Sequence, residues 1–307
     1  MAQLTISDVL ARVQAGQSLG KAELSGIDLS GACLDQGDFP EAYLRRTRLN
    51  WSSCRGVNLS YATLTLADLS GSCLEAADLN HAVLTQANLA AANFQRIQAA
   101  GAQLYGARLD HIDGSYARLD RADCRTASGP QSRFKYASFV ATQLTGTNFS
   151  QSSFEGAQLG QSQWQQATLS GTAFVAADLT QADLTGAILV GANLSEANAL
   201  SAKFEQADLT GATLRQTQLD WADFWHAVLV EADLQGASLY NATLEYANLS
   251  DVNFSGADLR EANLENAQLN GACFDHCRVE GALFTDTTGL SREQKQWLRR
   301  NGALNIS

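Results

Sequence analysis

Residues 177–187 read Ala-Asp-Leu-Thr-Gln-Ala-Asp-Leu-Thr-Gly-Ala, so a small residue and a leucine recur every five positions. The same stride runs from Leu24 to Phe284 without losing register. It covers 53 positions, of which 45 are Leu or Phe, and all twelve phenylalanines of the chain fall on it. We call this central residue position i. The residue at i−2 is Ala in 36 of the 53 units.

A period of five fits neither the 3.6-residue α-helix nor a simple alternating strand. Positions i−2 and i point to the same side of extended backbone because they are two residues apart. The other positions are mostly Asp, Asn, Gln, Ser, Thr or Gly, which can turn the chain and face water. A chain that alternates straight and turning segments in this way is predicted to wind into a solenoid with a Leu/Phe core.

The phenylalanines indicate how many units make one turn. Six of them share one remainder on division by 20: Phe94, Phe134, Phe154, Phe174, Phe254 and Phe274. Three more lie ten residues away from that row: Phe204, Phe224 and Phe284. Rings that collect on two opposite walls favour a four-sided coil of 20 residues.

The repeated Ala-(Asp/Asn)-Leu-x-x unit resembles the pentapeptide-repeat family over most of the chain. The resemblance implies an all-β fold, a right-handed quadrilateral β-helix with four pentapeptides per coil and about 13 coils. Eight central positions depart from the pattern and should weaken the core locally: Cys54, Ala99, Gly114, Cys124, Gly129, Trp164, Ala199 and Val279. We expect Trp164 to be a core residue, the alternative being a ring swung outward.

Three segments are expected: an N-terminal capping helix in 1–20, the β-helix in 21–286, and a C-terminal capping helix in 287–307. Thr5 or Ser7 can cap the first helix, and Ser291 with Gln294 forms a capping-box pattern for the second. The second helix could also join two copies as a homodimer. Gly129-Pro130 predicts a bulge, loop or bend near 126–132, because proline cannot donate to a strand ladder.

Composition indicates a protein without membrane spans. No apolar run approaches 18 residues, and the start lacks the apolar core of a signal peptide. We therefore expect a cytoplasmic protein. The six cysteines show no disulfide spacing; Cys54, Cys124 and Cys277 occupy inward positions and read as small core residues.

The net charge of −11 is unevenly distributed. Residues 1–150 carry 13 acidic and 13 basic side chains, whereas residues 151–270 carry 15 acidic and 3 basic ones. An acidic stretch of this kind suits either solubility or mimicry of duplex DNA, as in pentapeptide-repeat proteins that protect DNA gyrase. The candidate acidic surface comprises Asp183, Glu205, Asp223, Glu245 and Glu265.

Two further surfaces are candidates for binding. Outward aromatic residues are expected to gather around one corner within about two coils, as partner sites often do: Trp221, Trp225, His226, Tyr240 and Tyr246. A basic segment coincides with the irregular region: Arg118, Arg121, Arg125, Arg133 and Lys135. Each could equally be a solvated face that binds nothing. Tyr116 and Tyr136, 20 residues apart, should stack between coils.

The sequence contains no catalytic constellation. Its four histidines follow no nucleophile pattern, and no phosphate-binding loop appears. Cys273, His276 and Cys277 are unsuited to joint metal ligation, because Cys277 should point inward and Cys273 outward. We therefore expect a protein without cofactor that presents β-helix faces to a protein partner, with direct nucleic-acid binding disfavoured. The alternative is a DNA mimic that binds a type II topoisomerase.

Overall fold

The computed structural model describes residues 4–306 and divides into two units, one ending at Gln158 and the other beginning at Leu159. Each unit consists of stacked coils joined by single-residue parallel β-bridges. In the first unit these bridges run from Glu23↔Tyr43 to Ser138↔Gln158, and in the second from Gln163↔Asp183 onward. Nearly all of them join residues 20 positions apart, which confirms four pentapeptides per coil.

Each pentapeptide uses its N–H groups in a fixed way, shown by the segment around Leu179. The N–H of Leu179 donates to Asn198 O at 2.6 Å, and that of Gln181 donates to Leu200 O at 2.9 Å, both in the next coil. The N–H of Asp183 donates to Ser162 O of the previous coil at 2.9 Å. Positions i, i+2 and i−1 therefore form the ladder between coils.

The remaining N–H groups close the turn. The N–H of Ala182, an i−2 residue, donates to Leu179 O at 2.9 Å, and that of Thr180, an i+1 residue, donates to Asp178 Oδ1 at 3.0 Å. Gln181, at i+2, has a left-handed φ of 57°. Asp and Asn are common at i−1 because their side chains supply the acceptor that the turn needs.

The core of each unit is built from positions i−2 and i. Phenylalanines one coil apart stack face to face, as Phe204 and Phe224 do with centroids 4.8 Å apart and planes at 5°. Trp164 is completely buried, as expected, and its Nε1–H donates to Ser162 Oγ at 2.8 Å. Its indole nitrogen therefore enters the core with a hydrogen-bond partner.

The core is filled at Gly114 and Gly129, two of the central departures that were expected to weaken it locally. A Cβ built on Gly114 would lie 2.6 Å from Phe134 Cδ1, and one built on Gly129 would lie 2.4 Å from Phe149 Cε1. Phe134 also packs within 5.0 Å of Phe139 and of Phe154, centroid to centroid. Rings from neighbouring positions thus occupy the space that the glycines leave.

The prediction of a bulge near residues 126–132 is wrong. Ser128 pairs with Asn148, and the N–H of Gln131 donates to Ser150 O at 2.9 Å, so the ladder passes through without interruption. Pro130 is accommodated because it occupies i+1, where the N–H takes no part in the ladder. Pro40, the only other proline of the chain, occupies the same position.

Residues 4–306 contain two short helices. Helix α1 spans Ile6–Gln14, begins with a capping box between Thr5 and Asp8, and buries Val9. Helix α2 spans Arg292–Arg300, begins with the expected capping box between Ser291 and Gln294, and buries Leu298. None of the helices in the described part of the chain is long and apolar enough to cross a membrane.

All six cysteines are free thiols. Cys54, Cys124 and Cys277 are buried, whereas Cys33 is exposed. Burial raises the pKa of the Cys54 thiol to about 12, against a smaller opposing effect of the hydrogen bond with Ser52, and burial also raises that of Cys124. The inward cysteines are therefore neutral core residues at physiological pH.

The proline rule can be tested with two substitutions in one pentapeptide. Thr85→Pro, at i+1, should change the free energy of unfolding by less than about 1 kcal/mol, because no ladder bond is lost. Val83→Pro removes the N–H that donates to Ala62 O at 2.9 Å and leaves that carbonyl without its partner, so it should cost about 1–3 kcal/mol or more. Urea denaturation followed by circular dichroism gives both values; equal losses would contradict the rule.

The ring cluster around Phe134 should be the most sensitive part of the first unit. Phe134→Ala leaves a cavity between the rings of Phe139 and Phe154 and is expected to cost about 3–5 kcal/mol. Phe134→Leu keeps most of the volume and serves as the matched control, with a clearly smaller loss expected. A loss below 1 kcal/mol for the alanine variant in urea denaturation would show that the cluster does not support this region.

Candidate protein-interaction surface

The five outward aromatic residues lie at two successive corners of unit 2, not around the single corner expected from sequence. Trp221 and Tyr240 occupy the first corner, and Trp225, His226 and Tyr246 occupy the second. Residues 222–224 form the wall between these corners, with Asp223 as the outward residue. The correction follows from the coil geometry, since Trp221 and His226 are i+2 residues of consecutive pentapeptides and must turn different corners.

At the first corner, Trp221 is 58% exposed and contacts Tyr240 edge to face, with ring centroids 6.1 Å apart. The Arg260 guanidinium lies over the Tyr240 ring at 5.7 Å, and it is also paired with Asp258 at 2.7 Å. The two rings are therefore held in fixed positions while Trp221 faces solvent.

At the second corner, His226 is packed between two rings. It stacks on Tyr246 at 4.9 Å with planes at 14°, and it meets Trp225 edge to face at 4.1 Å. The backbone is equally fixed, because the N–H of His226 donates to Glu245 O at 3.0 Å and that of Trp225 to Asp223 Oδ1 at 2.9 Å. These three rings form a preformed aromatic cluster on the surface.

The acidic residues border the same face. Asp183 and Asp223 lie on the wall between the two corners, separated by Lys203 through the bridges Asp183↔Lys203 and Lys203↔Asp223. Glu205, Glu245 and Glu265 occupy the second corner at i+1, but Trp225 stands between the first two in the 20-residue register. The acidic row is thus interrupted by a cation on the wall and by an indole at the corner.

Several of these carboxylates have structural partners. Burial would raise the pKa of Asp183, but hydrogen bonds from Thr185 and Gln165 outweigh it and lower that pKa. Glu245 accepts a hydrogen bond from Asn263 Nδ2. Only Glu205 and Glu265 lack a hydrogen bond or ion pair of their side chain within residues 4–306.

Aliphatic residues that were not predicted as part of a binding surface extend this face. Ile188, Val190 and Leu200 are each more than a third exposed. Val228 and Val230 are half-buried and lie in the same coil as Trp225. The sequence alone could have identified these residues, because they occupy i−1 and i+1, where Asp, Asn, Ser and Thr otherwise predominate.

The basic segment of unit 1 does not form one surface. Its five cations project from different walls and corners, and four of them are paired: Arg118 with Asp120, Arg125 with Asp123, Arg133 with Asp113, and Lys135 with Glu155. Arg121 has no carboxylate partner among the described residues. Tyr116 and Tyr136, which were expected to stack, lie side by side with centroids 5.5 Å apart and ring planes tilted by 32°.

Metal ligation by Cys273, His276 and Cys277 is not supported by the geometry. The buried Cys277 Sγ donates to Phe254 O at 2.7 Å, while Cys273 is half-exposed. Within residues 4–306 no three His, Cys, Asp or Glu side chains are arranged to hold a metal ion.

Comparison with protein families gave a match to the model "Pentapeptide repeats" in eight copies. The matched residues are 22–53, 47–86, 73–113, 152–189, 177–216, 217–256 and 247–286. Comparison with the curated proteins found no match.

Solved structures of similar proteins come from several sources. HetL from the cyanobacterium Nostoc, a pentapeptide repeat protein involved in heterocyst differentiation regulation, is 25% identical over 94% of this chain and 100% of its own, with a TM-score of 0.21. QnrB1, a plasmid-mediated fluoroquinolone resistance protein, is 22% identical over 64% of this chain and 98% of its own, with a TM-score of 0.36. A pentapeptide repeat protein of the Arabidopsis thaliana thylakoid lumen is 29% identical over 42% of this chain and 80% of its own, with a TM-score of 0.24.

The family model covers more than half of the chain, and the 20-residue parallel ladder is the architecture that its repeat requires. A right-handed quadrilateral β-helix with two short helices follows from this assignment. The chain belongs to the pentapeptide-repeat family.

Proposed function

We propose that this protein is a non-enzymatic interaction protein that binds a protein partner through the aromatic face of unit 2. The observation that carries the proposal is the pair of fixed, exposed aromatic clusters, Trp221 with Tyr240 and Trp225 with His226 and Tyr246. Pentapeptide-repeat proteins are generally structural or interaction proteins, and the absence of a catalytic motif in the sequence agrees with such a role.

Rigidity is the reason that these rings suit binding. Trp and Tyr contribute most of the binding energy in many interfaces, and they do so best when little freedom is lost on association. Here the backbone of Trp221 is held by donation to Tyr240 O at 2.9 Å, and the ring of His226 is held by its two neighbours. A partner would therefore meet a surface that is already ordered.

The surroundings of the rings indicate the chemistry of the partner. Glu205 and Glu265 contribute uncompensated negative charge at the second corner, and Val228 with Ile188 adds apolar area on the next wall. A partner surface with an apolar centre and basic rim would complement this face. The proposal also includes α1 and α2 as caps of the terminal coils, about 13 coils in all, and a cytoplasmic location.

DNA mimicry is the competing function. It draws on the excess of 15 acidic over 3 basic residues in 151–270. It is weakened by Lys203 and Trp225, which interrupt the acidic wall and corner, and by carboxylates that are engaged in turns. We therefore rank it second.

Removal of the two indoles tests the aromatic face. The double variant Trp221→Ala with Trp225→Ala should bind its specific partner at least about tenfold more weakly, since Trp residues rank among the strongest hot spots. Trp51→Ala is the matched control, because Trp51 is also an exposed indole, 71% accessible, and lies in unit 1.

The measurement is quantitative mass spectrometry after affinity capture from the native cell with all three proteins. A partner retained by the wild type and by Trp51→Ala but lost from the double variant is expected. Circular dichroism should show the same thermal transition for every variant, because these side chains lie outside the core. Identical captured proteins for wild type and double variant would refute the aromatic face as the binding site.

A gyrase supercoiling assay separates the second function from the first. A DNA mimic should alter supercoiling, and Glu205→Lys with Glu265→Lys should abolish that effect. These two glutamates are preferable to Asp183 and Asp223, whose carboxylates hold turn N–H groups, so that reversal there would disturb the backbone as well. The interaction proposal expects no effect of the wild-type protein on supercoiling.

A further inference from the structure

The last coil ends in a strand edge whose donors have lost their acceptors. One coil earlier, the N–H of Phe254 donates to Cys273 O at 2.9 Å and that of Gly256 to Asp275 O at 2.7 Å. Phe274 and His276 occupy the same positions in the next coil. Among residues 4–306, no group accepts a hydrogen bond from either of their N–H groups. This edge is therefore a template for another strand.

The chain itself shows that this end of unit 2 accepts extended backbone. After α2, residues 302–304 lie along the wall of the last coil formed by residues 282–284, opposite the wall at 272–274. The N–H of Gly281 donates to Gly302 O at 3.0 Å, that of Phe284 donates to Leu304 O at 3.1 Å, and that of Leu304 donates to Ala282 O at 2.8 Å. One wall of the end is thus completed by a returning strand, while the wall at 272–276 is not.

Helix α2 supplies a hydrogen-bond partner to only one backbone group of the open wall. Gln294 Nε2 donates to Ala272 O at 2.7 Å, in place of the N–H that a further coil would supply. The carbonyl side of this edge is therefore satisfied by a side chain. What is missing is a pair of carbonyl acceptors, about two residues apart along an extended chain, for Phe274 and His276.

A groove runs beside these two donors. It has a volume of about 520 Å³ and lies between the edge and α2, with Cys273, Asp275, His276, Glu293 and Trp297 among its lining residues. This volume is within the usual range of about 300–1,000 Å³ for ligand clefts. The half-buried Trp297 provides an apolar side wall opposite the strand.

Two carboxylates line the groove and favour a basic peptide. Asp275 and Glu293 both line it, and neither forms an ion pair within residues 4–306. Glu293 accepts a hydrogen bond from Ser291 Oγ at 3.0 Å, which keeps its side chain at the start of α2. A basic side chain that alternates with apolar ones would place its charge between these carboxylates.

We propose that this groove binds an extended, basic peptide segment of a partner protein as an added parallel strand. Two peptide carbonyls accept from the N–H groups of Phe274 and His276, an apolar side chain packs on Trp297, and a Lys or Arg lies beside Asp275 and Glu293. This is strand addition at a sheet edge, with the backbone supplying affinity and the carboxylates supplying selectivity. The site is separate from the aromatic face described above.

The test uses the full chain and the peptide acetyl-Val-Lys-Val-Lys-Val-amide, with a peptide carrying Glu in place of Lys as control. Amide hydrogen exchange, resolved by NMR, should slow by at least about tenfold at Phe274 and His276 with the Lys peptide, because both amides gain acceptors. The amides of Gly281 and Phe284, which already have acceptors, should be unchanged.

Asp275→Lys provides the charge test, since no side-chain hydrogen bond or ion pair of Asp275 occurs within residues 4–306 and the fold should be unaffected. This substitution should weaken binding of the Lys peptide by about tenfold and strengthen binding of the Glu peptide. Equal binding of both peptides, or no slowing at Phe274 and His276 at millimolar Lys peptide, would overturn the proposal. Slow exchange of these amides without peptide, together with a dimer in sedimentation, would instead identify a second copy as the occupant.

Discussion

The hydrogen bond from each central N–H to a carbonyl 19 residues ahead, such as that from Leu179 to Asn198, is the interaction on which each unit depends. It fixes the coil at 20 residues, because any other length would bring a mismatched position opposite each donor. With the register fixed, positions i−2 and i are committed to the core, and a change of side-chain size there must be matched by neighbouring side chains, as it is beside Gly114 and Gly129. Variation of surface side chains is left to i−1, i+1 and i+2, so binding through side chains must be located there.

The outward positions are not equally free. Position i+2 takes a left-handed φ in residues as large as Trp221 and His226, a conformation that costs an ordinary residue about 1–2 kcal/mol. The ladder bond donated by the same residue, together with an Asp or Asn side chain that holds the i+1 N–H, offsets this cost. Many carboxylates of this chain are consequently parts of turns. Its acidity is in large part a by-product of the repeat, which is the physical reason to rank DNA mimicry second.

The sequence was sufficient for the repeat, the coil length and the capping box of α2, because each follows from spacing alone; for α1 it left Thr5 and Ser7 as alternative caps. Pro130 predicts an interruption only if proline is incompatible with every strand position. In this coil position i+1 donates no ladder hydrogen bond, so a proline there removes none. The sequence places the aromatic residues around one corner because Trp221 and Trp225 are only four positions apart. In the structure the three-residue wall 222–224 lies between them. Ile188 and Val228 carry no aromatic ring, and only their departure from the usual Asp or Asn at i−1 marks them as apolar surface residues.

Both binding sites inferred for unit 2 lie where the repeat is interrupted. At one site the regular polar surface is interrupted, and at the other the regular backbone hydrogen bonding ends. At the aromatic face, rings replace the small polar residues that normally face water at i+1 and i+2, and apolar area becomes available without disturbing the ladder. At the last coil, the ladder itself ends, and Gln294 together with residues 302–304 satisfies only part of it. A repeat of this kind hides almost all of its backbone donors, so N–H groups without an acceptor within residues 4–306, such as those of Phe274 and His276, are specific features of the last coil. For the same reason a partner can recognise one position along the coil, because the identical backbone of all the remaining turns offers it nothing to bind.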